Sequence, residues 1–178
     1  MLITIKEELM LGKKPDVTVP EGCWMAGGAV RRWFTGEPQN SDVDLFTSSE
    51  EIAKANIPSS AKEFKNCWTY RENGHKVQFI KIYFPTVIDC VSKFDFTICQ
   101  FVYVKGYVQA TLDAIITASR KRLAVAAIQP SYEMDSLRRA FKYSKAGYSP
   151  CAGTIRELFK AIQGATTEQK ENMSERWD

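Results

Sequence analysis

Two aspartates separated by one residue are the strongest chemical signal in this chain of 178 residues. Asp42 and Asp44 lie in a run, 41–46, in which acidic and apolar residues alternate. Residues two apart on a β-strand point to the same face, so this alternation predicts both carboxylates on one face and Val43 and Leu45 on the buried one. Two carboxylates aimed at one point repel each other unless a cation lies between them. Mg²⁺ prefers such oxygen ligands and leaves room for substrate phosphates.

A pair of glycines, Gly27 and Gly28, precedes the two acids and opens the segment Gly-Gly-Ala-Val-Arg-Arg. Glycine lets a backbone approach a phosphate closely, and backbone amides can hydrogen-bond the phosphate. Alone, two glycines are typical of a turn, and Asp-x-Asp is typical of a solvated surface. Together they predict a phosphate cradle beside a carboxylate pair, which is what metal-assisted phosphoryl or nucleotidyl transfer requires.

Asp95 is the candidate for a third carboxylate. It lies in an apolar segment, Phe94 to Tyr107, that we predict to be rich in β-structure. A carboxylate in such a strand is costly to bury unless a cation or a donor pairs with it. It could share the metal ion or act as a base for the attacking hydroxyl. The alternative is an aspartate that caps a turn at the end of the strand.

The order of the predicted elements indicates an α+β fold, with a mixed sheet of about five strands flanked by helices. A buried strand at 23–26 precedes a helix at 28–35, and Asn73-Gly74 predicts a hairpin turn between two strands within 62–83. Three helices are predicted from about residues 112, 132 and 154 onwards. We therefore divide the chain into a core at 1–110, a helical segment packed on it at 111–164, and a polar tail at 165–178.

Composition is that of an ordinary globular protein, with 44% hydrophobic and 25% charged residues. No apolar run approaches the roughly 20 residues that cross a bilayer, and acids occupy the start of the chain where a signal peptide is basic. Five cysteines lack Cys-x-x-Cys spacing, which favours reduced thiols. We therefore expect a cytoplasmic protein without a membrane partner, and its oligomeric state is left open.

Basic residues concentrate in the second half of the chain, in a chain whose net charge is +3. A basic surface near an acidic metal site would suit a polyphosphate or a nucleic acid. The alternative is a solvated helix face. The residues of this cluster are Arg120, Lys121, Arg122, Arg138, Arg139, Lys142 and Lys145.

Gly-Gly-Ala-Val-Arg followed by Ser-Asp-Val-Asp-Leu resembles the signature of the DNA polymerase β-like nucleotidyltransferase superfamily. It is most similar to the head domain of CCA-adding enzymes and bacterial poly(A) polymerases. That branch usually has an acid after the first arginine, where this chain has Arg32. The segment Phe-Asp-Phe-Thr-Ile-Cys resembles the branch's Arg-Asp-Phe-Thr-Ile-Asn, with Phe94 and Cys99 replacing the arginine and the asparagine.

The resemblance implies that Gly27, Gly28 and Arg31 bind the nucleotide. It also implies that Asp42 and Asp44 ligate two metal ions and that Asp95 shares one of them. In CCA-adding enzymes an Asp-x-x-Arg helix reads the incoming base. Asp135 and Arg138 match that motif at a contracted spacing, and the alternative for them is an ordinary surface ion pair. Lys142 is a further candidate contact for the triphosphate or the base.

The favoured hypothesis is thus a Mg²⁺- or Mn²⁺-dependent nucleotidyltransferase whose substrate is a nucleoside triphosphate. The acceptor would be an RNA 3′ end, including that of tRNA, a protein hydroxyl or a small molecule. Two alternatives stay open: a nucleotide- or RNA-binding module that has lost turnover, and a structural interaction protein with the same fold.

Overall fold

The computed structural model describes residues 1–168 and residue 170, and its centre is a mixed sheet of eight strands in the order β1-β8-β7-β2-β3-β6-β5-β4. Strands β3 and β6 pair in parallel, and the other neighbours pair antiparallel. The strands are β1 (Ile3–Ile5), β2 (Cys23–Ala26), β3 (Val43–Thr47), β4 (Lys62–Glu63), β5 (Cys67–Glu72), β6 (His75–Tyr83), β7 (Phe101–Val104) and β8 (Tyr107–Ala110).

Helices flank this sheet in the part of the chain that the structure describes. They are α1 (Gly28–Thr35), α2 (Glu50–Asn56), α3 (Val87–Ser92), α4 (Leu112–Ser119), α5 (Glu133–Lys145) and α6 (Ala152–Gly164). Two short strands, β9 (Arg122–Leu123) and β10 (Ser149–Pro150), pair in parallel outside the main sheet. The predicted α+β class is confirmed.

The sheet is larger than the predicted five strands because three segments pair in ways that short sequence runs do not reveal. One of them is the predicted β-rich run up to Tyr107, where β7 turns back into a separate strand, β8. The N-terminal strand β1 pairs with β8 at the far end of the chain's core. The segment 62–72 forms two strands, β4 and β5, that pair with each other. Asn73 and Gly74 make the predicted hairpin turn with φ values of 46° and 83°, and Glu72 pairs with His75.

The predicted β-structure around Asp95 is wrong, since the strand begins only at Phe101. The residues before it include a 3-10 turn, Thr97–Cys99. The physical reason is a second apolar cluster, in which Phe96 and Ile98 are fully buried against residues of α5 and α6 instead of against the main sheet. Asp95 therefore lies in a loop.

Helix α1 begins at a turn that requires glycine. Gly27 has φ 83°, a conformation that other residues rarely adopt. Its amide donates to the Phe101 carbonyl at 2.9 Å, and its carbonyl accepts from the Arg31 amide. The turn therefore links β2 to β7 and leads into α1, which packs against the sheet through Ala29, Val30 and Trp33.

Helix α2 begins after Ser49, whose side chain accepts the capping hydrogen bond from the Ile52 amide. No helix of the described residues combines the length and the apolar character needed to span a bilayer. The predicted polar tail beyond residue 170 lies outside the described residues.

Candidate active site

The two aspartates converge, as their spacing predicts. Asp44 lies in β3 with Ala26 on one side and Gln78 on the other, and Asp42 immediately precedes the strand. With its side-chain amide oriented to donate, the Gln78 nitrogen is 3.2 Å from Asp42 Oδ2 and 3.2 Å from Asp44 Oδ1. One neutral amide thus lies between two carboxylates.

The pair opens into a cleft of about 620 Å³ between the start of α1 and the C-terminal half of α5. Most of the residues that line it are charged or polar. They are Gly28, Arg31, Arg32, Glu37, Pro38, Asn40, Ser41, Asp42, Asp44, Gln78, Lys142, Tyr143 and Ala146.

The two carboxylates differ in their electrostatic surroundings. Asp42 forms an ion pair with Lys76 at 2.8 Å. Asp44 has no ion pair among the described residues, and burial together with the charge of Asp42 raises its pKa to about 6. Arg32 and Lys142 oppose that rise from a distance. Asp44 is therefore a carboxylate whose charge the protein does not fully compensate.

The two glycines have different roles in this geometry. Gly28 lines the cleft at the start of α1, where the first amides of a helix have no helical partners. Gly27 is buried, and its amide already donates to Phe101. Gly28 is thus the glycine of the predicted phosphate cradle that faces the cleft, whereas Gly27 supplies the turn before it.

Arg31 is held at the wall of the cleft between two aromatic rings. Its guanidinium carbon lies 5.2 Å from the ring centre of Tyr143 and 5.1 Å from that of Tyr148, and its Nη2 is 3.4 Å from Glu37. Arg31 is only 3% exposed, and its Nε and Nη1 atoms have no hydrogen-bond partner within the described part of the chain. Two donors of Arg31 are thus buried without a partner among these residues.

Glu37 connects several residues of this wall of the cleft. It accepts a hydrogen bond from the Tyr148 hydroxyl at 2.7 Å and contacts Lys121 and Arg31. Hydrogen bonds from Lys121 and Tyr148 outweigh partial burial and lower the pKa of Glu37, so this carboxylate stays ionised. The loop after α1 is thereby joined to the C-terminal helical region.

Asp95 is not brought to the carboxylate pair. It is 6% exposed, and its Oδ2 accepts from Arg139 Nε at 2.7 Å. Burial raises the pKa of Asp95, and Arg139 opposes that rise. In the described part of the chain no three His, Cys, Asp or Glu side chains lie close enough to hold a metal ion together. The structure therefore places Asp95 in an ion pair with α5.

The two predicted nucleotide contacts on α5, Arg138 and Lys142, lie in different surroundings. Lys142 lines the cleft. Arg138 lies outside its lining, half-exposed and 3.7 Å from Asp135, which is the geometry of the surface ion pair that the sequence left as the alternative.

Sequence reasoning missed four polar residues of the cleft region: Glu37, Lys76, Gln78 and Tyr148. The parallel pairing of β3 with β6 brings Gln78 beside Asp44, and no local motif predicts this pairing. Tyr148 and Glu37 meet across more than a hundred residues. Arg32 also lines the cleft, and its departure from the family pattern was the one sign in the sequence that this part of the site is unusual.

Several solved structures have a similar fold. A tRNA nucleotidyltransferase complexed with a primer tRNA and an incoming ATP analog is 17% identical, with a TM-score of 0.62 over 86% of this chain and 52% of its own. A CCA-adding enzyme with ATP is 15% identical, with a TM-score of 0.61 over 85% of this chain and 42% of its own. The Bacillus stearothermophilus CCA-adding enzyme in complex with CTP is 16% identical, with a TM-score of 0.56 over 74% and 37%.

This chain thus has the polymerase β-like nucleotidyltransferase fold, and it spans about half, or less, of the solved structures that it matches. The model of the Gabija anti-defense 2 (Gad2) family matches residues 4–121, which is more than half of the chain. The chain belongs to the Gad2 family. No curated protein matches it.

Proposed function

We propose that this chain is a metal-dependent nucleotidyltransferase that moves a nucleoside monophosphate from a nucleoside triphosphate to an acceptor hydroxyl. The observation that carries the proposal is the convergence of Asp42 and Asp44 in a cleft that also contains Gly28, Arg31 and Lys142. This arrangement joins an acidic pair to a cationic, amide-lined surface, and a triphosphate needs both.

Asp42 and Asp44 would hold Mg²⁺ or Mn²⁺. Their donor set fits a hard divalent cation, because it consists of two carboxylates that approach one point. The raised pKa of Asp44 supports the fit, since its first cause after burial is repulsion from Asp42, which a cation would remove. When bound there, the ion supplies charge stabilisation to the reacting phosphoryl oxygens.

The remaining residues would orient the triphosphate. The amides at the start of α1 would hydrogen-bond its oxygens, and Arg31 and Lys142 would offset its charge. The acceptor oxygen forms a bond to the α-phosphorus as the bond to the bridging oxygen breaks. Pyrophosphate leaves, and the hydroxyl proton is lost to water.

Asp95 would act as a positioning residue. Its ion pair with Arg139 attaches α5 to the loop before β7. The same helix carries Lys142 and Tyr143 into the cleft, so the ion pair would fix the wall that faces the triphosphate.

RNA is one acceptor that we propose, because one structural neighbour is complexed with a primer tRNA. A protein hydroxyl and a small molecule are the others. The family description supports a role against the Gabija defense. We propose that nucleotidyl transfer is the means of that role, so an Asp44→Asn variant should fail to relieve the defense in cells where the wild type does.

The test of the proposed chemistry uses ATP, CTP, GTP and UTP labelled at the α-phosphate, with Mg²⁺ or Mn²⁺ and total RNA. We expect the label of at least one nucleotide to reach an acceptor, with release of pyrophosphate. The same nucleotide labelled at the γ-phosphate should leave the acceptor unlabelled. Binding of nucleotide without any transfer would contradict the proposal and favour a binding module.

A further inference from the structure

Arg32 differs from its neighbour Arg31 in having no carboxylate ion-pair partner among the described residues. It is 5% exposed and lines the cleft. Its Nε donates to the Gln39 side-chain oxygen at 3.2 Å, and its Nη2 lies 3.5 Å from the Asp42 carbonyl oxygen. Both partners are neutral. Among the described residues no ion pair involves Arg32, whereas Arg31 is paired with Glu37.

A buried charge of this kind is costly unless an opposite charge compensates it. The neighbouring Arg31 adds a second positive charge. Burial and Arg31 together lower the pKa of Arg32, while Glu37 and Asp44 oppose that change from a distance. The empty cleft therefore holds a guanidinium that an anion would stabilise.

The position of the guanidinium specifies where that anion binds. A Cβ added at Gly28 would lie 3.1 Å from Arg32 Nη1, so the guanidinium lies beside the first residue of α1. An anion hydrogen-bonded to the free amides at the start of the helix would reach Arg32 as well.

Gln39 keeps Arg32 in this place. Its amide nitrogen donates to the Ala29 carbonyl at 3.1 Å and to the Lys13 carbonyl at 3.3 Å, while its oxygen accepts from Arg32. The guanidinium is therefore oriented before any ligand arrives, which lowers the entropy cost of binding.

We propose that Arg32 is a built-in cation of the cleft that binds the triphosphate directly, so that this chain holds a nucleoside triphosphate without a divalent ion. This inference rests on the proposed function, because it names the residue that would recognise its substrate. The planar guanidinium can offer two parallel donors to phosphate oxygens, which a lysine ammonium cannot.

The test is binding in EDTA, with inorganic tripolyphosphate and ATP as probes and adenosine as the uncharged comparison. Tripolyphosphate should raise the melting temperature of the wild type, and adenosine should not. Arg32→Gln should weaken ATP binding in EDTA at least tenfold and remove most of the tripolyphosphate shift. Arg156→Gln is the matched control, since Arg156 lies exposed on α6, and it should bind as the wild type does.

A wild type that gains no stability from tripolyphosphate in EDTA would overturn the inference, as would an Arg32→Gln variant with unchanged affinity. If Arg32→Gln does not fold, Arg32→Lys takes its place. An ATP affinity within twofold of the wild type in that variant would then overturn the inference.

The binding measurement needs no turnover, so it is separate from the test of nucleotidyl transfer. A chain that binds tripolyphosphate through Arg32 but labels no acceptor contradicts the proposed transfer alone. A chain that labels an acceptor but binds no triphosphate in EDTA contradicts the anion site alone.

Discussion

Asp44 and Asp95 carry the same side chain, but the protein surrounds them in opposite ways. Asp44 faces an open cleft, has no ion pair among the described residues, and has a pKa raised to about 6. Asp95 is buried in a loop and hydrogen-bonded to Arg139 at 2.7 Å. A carboxylate that the fold leaves uncompensated is available for a ligand. A carboxylate that the fold pairs is used for structure.

The cationic side of the cleft repeats this contrast. Arg31 is paired with Glu37 and packed between Tyr143 and Tyr148. Arg32, the next residue, has only neutral hydrogen-bond partners among the residues that the structure describes. Asp44 and Arg32, which have no ion pair among the described residues, line the same cleft. A metal ion and a polyphosphate bound there would together balance their charges.

The largest effect should come from the carboxylate pair. Asp42→Asn and Asp44→Asn should each reduce nucleotidyl transfer by roughly a thousandfold or more, because several kcal/mol of charge stabilisation are lost. Melting temperatures without metal should hold or rise, since repulsion is removed. Asp113→Asn, an exposed acid on α4, is the control and should keep its activity. Two folded and active variants at the pair would refute the metal site.

Asp95→Asn should instead reduce stability. We expect a loss of about 2 kcal/mol in the free energy of unfolding, because Arg139 would lose its buried carboxylate partner. Activity per folded molecule should stay within a few-fold of the wild type. Urea denaturation measures the free energy of unfolding, and transfer rates measure the activity.

The double variant Asp95→Asn/Arg139→Gln sharpens this prediction, since two partners of one ion pair should give non-additive losses. A shared metal site predicts a different pattern. If Asp95 were a metal ligand, Asp95→Asn would reduce transfer by two or more orders of magnitude without any loss of stability. That result would show that Asp95 acts together with Asp42 and Asp44.

The raised pKa of Asp44 predicts a pH dependence of stability without metal. The folded protein retains a proton on Asp44 up to about pH 6, whereas the unfolded chain loses it near the ordinary value of 3.8. Relative to Asp44→Asn, the wild type should therefore lose stability as the pH rises from about 4 to about 6, by on the order of 2 kcal/mol, and no more above that range. Denaturation of both proteins across this pH range measures the effect. A difference in the free energy of unfolding between the wild type and Asp44→Asn that stays constant over this range would contradict the prediction.

A smaller effect is expected at the start of α1. Gly28→Ala would place a methyl group 3.1 Å from Arg32 Nη1 and crowd the surface where the phosphates would lie. The Michaelis constant for the nucleotide should rise about tenfold, an effect of about 1.4 kcal/mol, with little change in kcat. Gly153→Ala on α6 meets only ordinary contacts and serves as the control. An unchanged Michaelis constant in Gly28→Ala would count against the cradle.

The sequence was most informative where structure is local. The alternation around Asp42 and Asp44 predicted their common face, Asn73-Gly74 predicted the hairpin, and Gly27-Gly28 predicted the start of α1. In each case a few neighbouring residues determine the backbone conformation, so their types are sufficient.

The sequence failed where distant segments meet. Asp95 was expected on a strand because its neighbours are aromatic and β-branched, yet those neighbours bury against α5 and α6. Arg139 closes the ion pair from 44 residues away, and Gln78 reaches the carboxylates through the pairing of β3 with β6. Around Asp95 tertiary packing overrode local propensity, and at Gln78 the strand was predicted but its pairing partner was not.

We propose that Asp42 and Asp44 form the metal site and that Asp95 does not belong to it. The most direct test is a titration of Mn²⁺ followed by electron paramagnetic resonance, with a non-hydrolysable ATP analogue present. The wild type and Asp95→Asn should bind Mn²⁺ with similar affinity, and Asp44→Asn should bind at least tenfold more weakly. Loss of Mn²⁺ binding in Asp95→Asn, or its retention in Asp44→Asn, would contradict the account.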